Sequence, residues 1–307
     1  MRLWWTGKTL KTRLAGTVVA LALVAGIPAP GQGQAICSAP HSSPTLTQSG
    51  AIRTLPSGSG WVQLFLYGQN ATESFNPRGD RQAFLGDSQF RTRSAYLTGA
   101  VGLVEGLEIW AQVPVHRLRV EGAGGNSSSS GVGDLRTAVR LSPALVGLEW
   151  PVALRMGLKV PGTEFPVDAT ELPLTEGQRD LEVSLESGWV SDWSPVYVVG
   201  WAGHRWRGPD TDASYEPGDE SFAHLAVGGE AGPLHWEVGL DGLWGRAPVA
   251  QRVVVDASSR RLLQLLPTVG MDVVGGRLEL TVPLPIVGRN LPSDPGVSVG
   301  FRTGWGL

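Results

Sequence analysis

Apolar and polar residues alternate with a period of two along most of this chain. In residues 132–141, Gly133, Leu135, Thr137, Val139 and Leu141 share one face, and Asp134, Arg136, Ala138 and Arg140 the other. In 152–160, Val152, Leu154, Met156, Leu158 and Val160 oppose Ala153, Arg155, Gly157 and Lys159. Leu181, Val183 and Leu185 oppose Asp180, Glu182, Ser184 and Glu186; Leu234, Trp236, Val238 and Leu240 oppose His235, Glu237, Gly239 and Asp241. Leu278, Leu280, Val282 and Leu284 oppose Arg277, Glu279 and Thr281. In the last segment Val297, Val299, Phe301, Thr303 and Trp305 oppose Ser298, Gly300, Arg302 and Gly304. Alternation sustained over such lengths is the template of a strand with two unlike faces. Helical spacing fits none of these windows well.

Twelve strands follow, near 59–68, 89–101, 106–120, 132–142, 150–160, 179–190, 195–207, 221–229, 233–244, 261–272, 277–285 and 296–307. The second and seventh have ambiguous phase, so neither Trp201 nor His204 is given a side. The connections sort by length. Those at 69–88, 121–131, 161–178, 208–220, 245–260 and 286–295 are long and polar, and those between them are short. Long and short connections alternate in a bacterial outer-membrane barrel, where tight turns are periplasmic and long loops external. Backbone groups left unpaired in hydrocarbon are too costly, so spanning strands must close on one another. The expected fold is therefore all-β, an antiparallel up-and-down transmembrane barrel of about twelve strands in the bacterial outer membrane. Trp150, Trp189, Trp193, Trp236 and Trp305, with Trp61, lie near short turns or a terminus, where an aromatic girdle belongs; Trp206 and Trp244 lie near long loops. Glycine, 42 of 307 residues, is costly on strands. Inside a barrel it leaves room or permits bending.

The first residues carry a different signal. Lys8, Lys11 and Arg13 precede an apolar run from Leu14 to Ile27 and a Pro/Gly/Gln stretch ending near Ala35. This is the layout of a secretory signal peptide, residues 1–35, and the run is short for a membrane-spanning helix. Ile36 precedes Cys37 where lipidation needs a small residue. Residues 36–58 are expected to be a flexible periplasmic leader that reaches toward the lumen, and 59–307 the barrel. The net charge of −3 becomes −7 without the signal, and Lys159 is the only lysine left. No long block of one charge sign suggests nucleic acid. A single Cys excludes a disulfide scaffold and any multi-cysteine metal site, and no cofactor is expected.

Several motifs together resemble a family. Ser130-Gly131-Val132-Gly133-Asp134-Leu135-Arg136, then Ala153-Leu154-Arg155-Met156-Gly157-Leu158-Lys159-Val160-Pro161-Gly162, Arg179-Asp180-Leu181-Glu182-Val183 and Gly288-Arg289-Asn290 occur in the order seen in outer-membrane proteins of the meta-pathway of phenol degradation family. The similarity runs over about residues 59–307. It implies an outer-membrane barrel that transports small, often aromatic or hydrophobic, compounds.

Inward charges are the candidate site. Arg136 and Arg140 beside Arg155 and Lys159 read as a basic wall, with Glu182 and Glu186 as its acidic neighbour and Glu279 opposite Arg302. Such charges either set a transverse field that orients a solute or form a lattice of ion pairs that stiffens the lumen. The acid-rich stretch at 208–220 reads as a solvated loop, and 121–131 as a flexible external one. No metal site and no catalytic residues are expected, since neither Gly-x-Ser-x-Gly nor His-Glu-x-x-His occurs. The function expected is passive passage or low-affinity transport of small molecules. A closed barrel that works through its external loops is the alternative, and an outer-membrane lipid hydrolase using a scattered Ser/His pair a lesser one. The partners expected are outer-membrane lipid, a small-molecule solute and the barrel-assembly machinery.

Overall fold

The computed structural model describes residues 54–122, 125–163, 172–191, 193–209 and 215–306. The expected signal peptide, leader residues 36–53 with Cys37 and His41, Asp210, Asp212 and Leu307 lie outside the described residues. In chain order the strands are β1 (Gly60–Ala71), β2 (Glu73–Phe75), β3 (Arg81–Ala83), β4 (Gln89–Val104), β5 (Leu107–Glu121), β6 (Ser127–Val132), β7 (Leu135–Leu141), β8 (Val152–Val160), β9 (Asp180–Val190) and β10 (Val196–Arg207). They continue as β11 (Tyr215–Glu216), β12 (Glu220–Ala231), β13 (Leu234–Gly245), β14 (Val249–Ala250), β15 (Val253–Val254), β16 (Arg261–Val273), β17 (Gly276–Thr281), β18 (Leu284–Arg289) and β19 (Gly296–Trp305).

Each long strand pairs antiparallel with the next, and β19 returns to β1 from Gly60↔Trp305 to Gln69↔Gly296, which closes the sheet. β6 and β7 are two parts of one wall strand, both paired with β5. β17 and β18 are likewise two parts of one, split near Pro283, with β16 beside both. The result is a closed antiparallel barrel of twelve wall strands. Closure leaves no edge, which a sheet in hydrocarbon requires.

The two faces differ as the alternation requires. Leu64, Leu97, Leu158, Leu185, Leu225, Leu240 and Val299 point out and are exposed, while their strand neighbours of opposite parity point in. The short turns, such as Glu105–Gly106 and Gly232–Pro233, lie at the end of the barrel that holds the chain's first described residues and Trp305. The other end carries the long connections. Three of these build structure of their own: β2 pairs β3 within one, and β11 of a second joins β14 and β15 of a third in a small three-stranded sheet.

Four expectations change. The segment from Ser127 to Val132 extends the wall, with Val120↔Ser127 through Val115↔Val132, instead of being a flexible loop. Residues 172–178 of the connection 161–178 turn inward: Leu172, Thr175, Glu176 and Gln178 are buried. Trp61 stands at the rim but faces the lumen and is buried, so it has no place in a lipid-facing girdle. The two unphased strands have definite faces. Tyr96 and Thr98 of β4 point in, as do Trp201 and Arg205 of β10, while His204 points out.

Candidate functional site

The interior is the site, and three zones divide it. At the short-turn end, residues 54–58 enter the lumen. Leu55 packs among Trp61, Ala100, Trp110 and Ala138, all buried. Its backbone N–H donates to Glu108 Oε2 at 3.1 Å. Gly102 makes this approach possible, since a Cβ there would collide with the carbonyl oxygens of Leu55 and Pro56. Beneath the segment Arg140 joins two acids, with Nε 2.6 Å from Glu186 Oε2 and Nη1 3.4 Å from Glu108 Oε2. The Arg155 guanidinium lies 4.4 Å from the centre of the Trp110 ring, within cation–π range.

At the long-loop end a larger network crosses the mouth. Lys159 Nζ meets Glu176 at 2.5 Å, Asp180 at 2.9 Å and Asp134 at 3.3 Å. Arg207 meets Glu176 at 2.6 Å and Glu220 at 3.2 Å. Arg205 joins Glu182 at 2.8 Å to Glu220 at 2.9 Å. Arg260 reaches both Glu176 and Glu220. Glu176 arrives from the inturned connection, not from a strand. Burial alone would raise its carboxyl, but Arg207, Lys159 and Arg260 outweigh that and hold it well below the usual carboxylate range. Leu172 of the same connection packs with Ala71, Phe90 and Leu118, so an apolar cluster sits beside the charged one.

Between these ends the interior is part apolar and part polar. Val199, Trp201, Phe222, Ala226 and Leu243 form a buried cluster with Ala153. The rings of Trp201 and His224 stack at 3.8 Å. Elsewhere inward side chains are only half-buried: Phe65, Tyr67, Arg136, Arg155, Tyr197, Glu237, Asp241, Glu279 and Arg302. Tyr197 donates to Glu237 at 2.9 Å, Gln63 donates to Glu279 at 3.1 Å, and Arg302 lies 3.2 Å from Glu279.

The structure thus sorts the residues that sequence singles out. Arg140 and Glu186 meet. Lys159 belongs to the opposite end, and Glu182 answers Arg205. Arg136 pairs in register with Lys159, and Arg140 with Arg155, so the basic residues are neighbours but are split among separate networks. Glu108, Arg205 and Arg207 are not among the sequence candidates, nor are Glu176 and Arg260, while Glu220, read from sequence as part of the solvated stretch 208–220, is instead buried at the start of β12 against Arg205 and Arg207. Glu108 alternates as its neighbours do and was legible. Arg205 and Arg207 sit on the strand whose apolar residues hid its phase. Glu176 and Arg260 lie in connections, where period gives no information.

Trp150, Trp189, Trp193, Trp236 and Trp305 are exposed near the short-turn end, and Trp206 and Trp244 near the other. Ser/His pairs exist on both faces. Ser94 and His116 are buried at 2.7 Å. His204 Nδ1 lies 3.0 Å from Ser221 Oγ on the outer face, but Asp219 is 3.9 Å from its other nitrogen, too far to hydrogen-bond. Among the described residues no His/Cys/Asp/Glu group could hold a metal.

An apolar outer band closed around a charged interior, with tryptophans toward both rims, defines a bacterial outer-membrane β-barrel. No family model and no curated protein matches the sequence. Solved structures do match in fold. The COG4313 outer membrane channel from Pseudomonas putida F1 is 15% identical, with TM-score 0.66, covering 82% of this chain and 97% of that one. The translocator domain of the autotransporter NalP from Neisseria meningitidis is 10% identical, with TM-score 0.50, covering 96% and 99%. The P. putida toluene transporter TodX is 8% identical, with TM-score 0.43, covering 86% and 92%. At these identities the likeness to the first two is one of architecture, that of an outer-membrane barrel.

Proposed function

We propose that this barrel passes small molecules across the outer membrane at low affinity, and that its solutes combine an apolar or aromatic part with a polar one. The observation that carries this reading is the half-buried interior. An inward side chain on a closed barrel can be exposed only to the lumen. Phe65, Tyr67, Tyr197, Glu237, Glu279 and Arg302 are therefore wetted from inside. A barrel filled only by its own ion pairs would bury them. Arg136 and Arg155 stand on strands β7 and β8, across the barrel from Glu237, Asp241 and Glu279 on β13 and β17. Opposed charges with aromatic rings between them would orient a small amphipathic solute. The resemblance to the phenol-degradation meta-pathway family supports the same solute class. We read the outward tryptophans as the interfacial belt that fixes the barrel's depth.

A second reading has its own observation. Residues 54–58 narrow one end and 172–178 the other, and a barrel sealed at these points that acts through its external loops also fits. Single-channel recording in a planar bilayer separates the two. Discrete conductance steps are expected; a folded barrel that never conducts would leave the surface-interaction reading in place.

A further inference from the structure

The outer wall carries a charged sector that passage through the lumen does not use. On the outward face of β1, β4 and β5, Leu64, Leu97 and Val113 lie side by side, and Leu66, Ala95 and Val115 form the next row. One step nearer the long-loop end the row becomes Gly68, Arg93, Arg117 and Ser130. The row beyond it is Asn70, Arg91, Arg119 and Ser128. Arg93, Arg117 and Arg119 are exposed and Arg91 partly so. An outward face that turns from apolar to cationic within one row marks the level where hydrocarbon gives way to headgroups. The charge is local. Near the long-loop ends of β8, β9, β10 and β13 the outward residues include Leu158, Leu181, Trp206 and Trp244.

Like charges directly opposite one another across two strands repel. Here Arg91 faces Arg119, and Arg93 faces Arg117. Glu121 answers the upper pair, 3.1 Å from Arg91 and 2.7 Å from Arg119. The lower pair meets no acid among the described residues. Arg93 lies across Gly68, where a Cβ would press on its Nη1 at 3.3 Å. From there Nη1 donates to the carbonyl oxygens of Gln69 and Thr92. These bonds place the guanidinium and leave its charge unanswered. Four guanidiniums and one carboxylate therefore share a field in which neighbours stand about 5 Å apart across strands and about 7 Å apart along them.

We infer that this sector binds one phosphorylated glycolipid of the outer leaflet. Arg93 and Arg117 take the phosphate oxygens, for which the planar guanidinium fork is suited. The Ser130 hydroxyl stands beside them, and Arg91 and Arg119 add to the field. The acyl chains run down the two apolar rows. Long loops of such barrels are external, so this end meets the leaflet whose glycolipid carries phosphate close above its chains. Clustered cations at headgroup height recognise anionic headgroups of this kind.

The test is native mass spectrometry of the full chain, released from neutral detergent after incubation with lipid A. Wild-type protein should retain one lipid A per barrel, and should retain lipid A stripped of its phosphates about tenfold less, as charge-assisted bonds are lost. Arg93→Gln with Arg117→Gln should lower retention of intact lipid A by a similar factor. Arg93→Lys with Arg117→Lys keeps the charge without the fork and should fall between. Inorganic phosphate in excess should not release the lipid. Heat-modified gel mobility checks that each variant is a folded barrel; should the double variants not fold, the two forms of lipid A on wild-type protein decide alone. Equal retention of the two forms, or retention unmoved in the folded Gln variant, would overturn the site. Retention of phosphatidylglycerol equal to that of lipid A would show a general anionic surface and overturn it too, and release by inorganic phosphate would show a site for the free ion.

Discussion

Arg140 shows how much of the interior a single residue can organise. Its guanidinium is 4% exposed and lies between two carboxylates that are each 2% exposed. Removing the cation would leave Glu108 and Glu186 buried with like charge. Breaking a buried pair from one side costs about 3–5 kcal/mol. Arg140→Ala should therefore lower the barrel's resistance to denaturant by that amount, read as earlier loss of heat-modified mobility. Adding Glu108→Gln and Glu186→Gln should restore part of it. If Arg140→Ala changed nothing, the pairing would be ornamental. On the opposite face Leu240 is exposed between Leu225 and Leu265 of the adjacent strands. An arginine there would sit in hydrocarbon, so Leu240→Arg should destabilise by about 2–4 kcal/mol in lipid vesicles. Inside and outside were legible in sequence at both positions, because period two marks them. Which acid each base would meet was not, since partner choice depends on register between strands far apart in the chain. Arg140 and Glu186 are 46 residues apart, and Lys159 takes Asp134 and Glu176 as well as the adjacent-strand Asp180.

At the scale of elements, strands and connections were legible to different degrees. All twelve wall strands lie close to where alternation puts them, including the one broken at Pro283. Long and short connections also alternate as the sequence indicates. What the long connections do was hidden, because a polar segment reads the same whether it meets solvent or a partner. Residues 172–178 show the difference. Their polar groups are spent on the barrel itself: Leu172 N–H on Ser129, Glu176 N–H on Asp134, and the Glu176 carboxylate on three cations. The carboxyl of Glu176 is held below its ordinary range, so its contribution is present above the ordinary carboxylate pKa. It is lost as the pH falls through the depressed value. Acidification should free this connection before it unfolds the barrel. Limited proteolysis of reconstituted protein should show cleavage within 161–178 at low pH and little at neutral pH, with the strands intact at both. Glu176→Gln should bring the same sensitivity to neutral pH. Equal cleavage of wild type and variant at neutral pH would mean that the latch is not electrostatic.

The molecule as a whole is a tube with two obstructions in line. Leu55 and its neighbours narrow the short-turn end, and the Glu176 connection narrows the other. Each is held by a different force, the first mainly by apolar packing against Trp61 and Trp110, the second by ion pairs. They can therefore be relieved separately. Leu55→Asp would place a carboxylate in that apolar cluster near Glu108 and drive the segment out. Glu176→Lys would set a cation against Lys159, Arg207 and Arg260 and drive the connection out. For one path, resistances in series add, so relieving either obstruction leaves the other limiting. Each single variant should raise single-channel conductance modestly, and the double variant by more than the product of the two increases. If the two conductance increments simply add, the obstructions do not share one path. If either single variant alone gives the full increase, the other end is not a constriction. Because the two are held differently, the singles should also differ in response to pH. Acid that protonates Glu176, as the pH falls through its depressed range, should raise the conductance of wild-type protein by loosening that end. The same acid should do little to Glu176→Lys, where that latch is already gone.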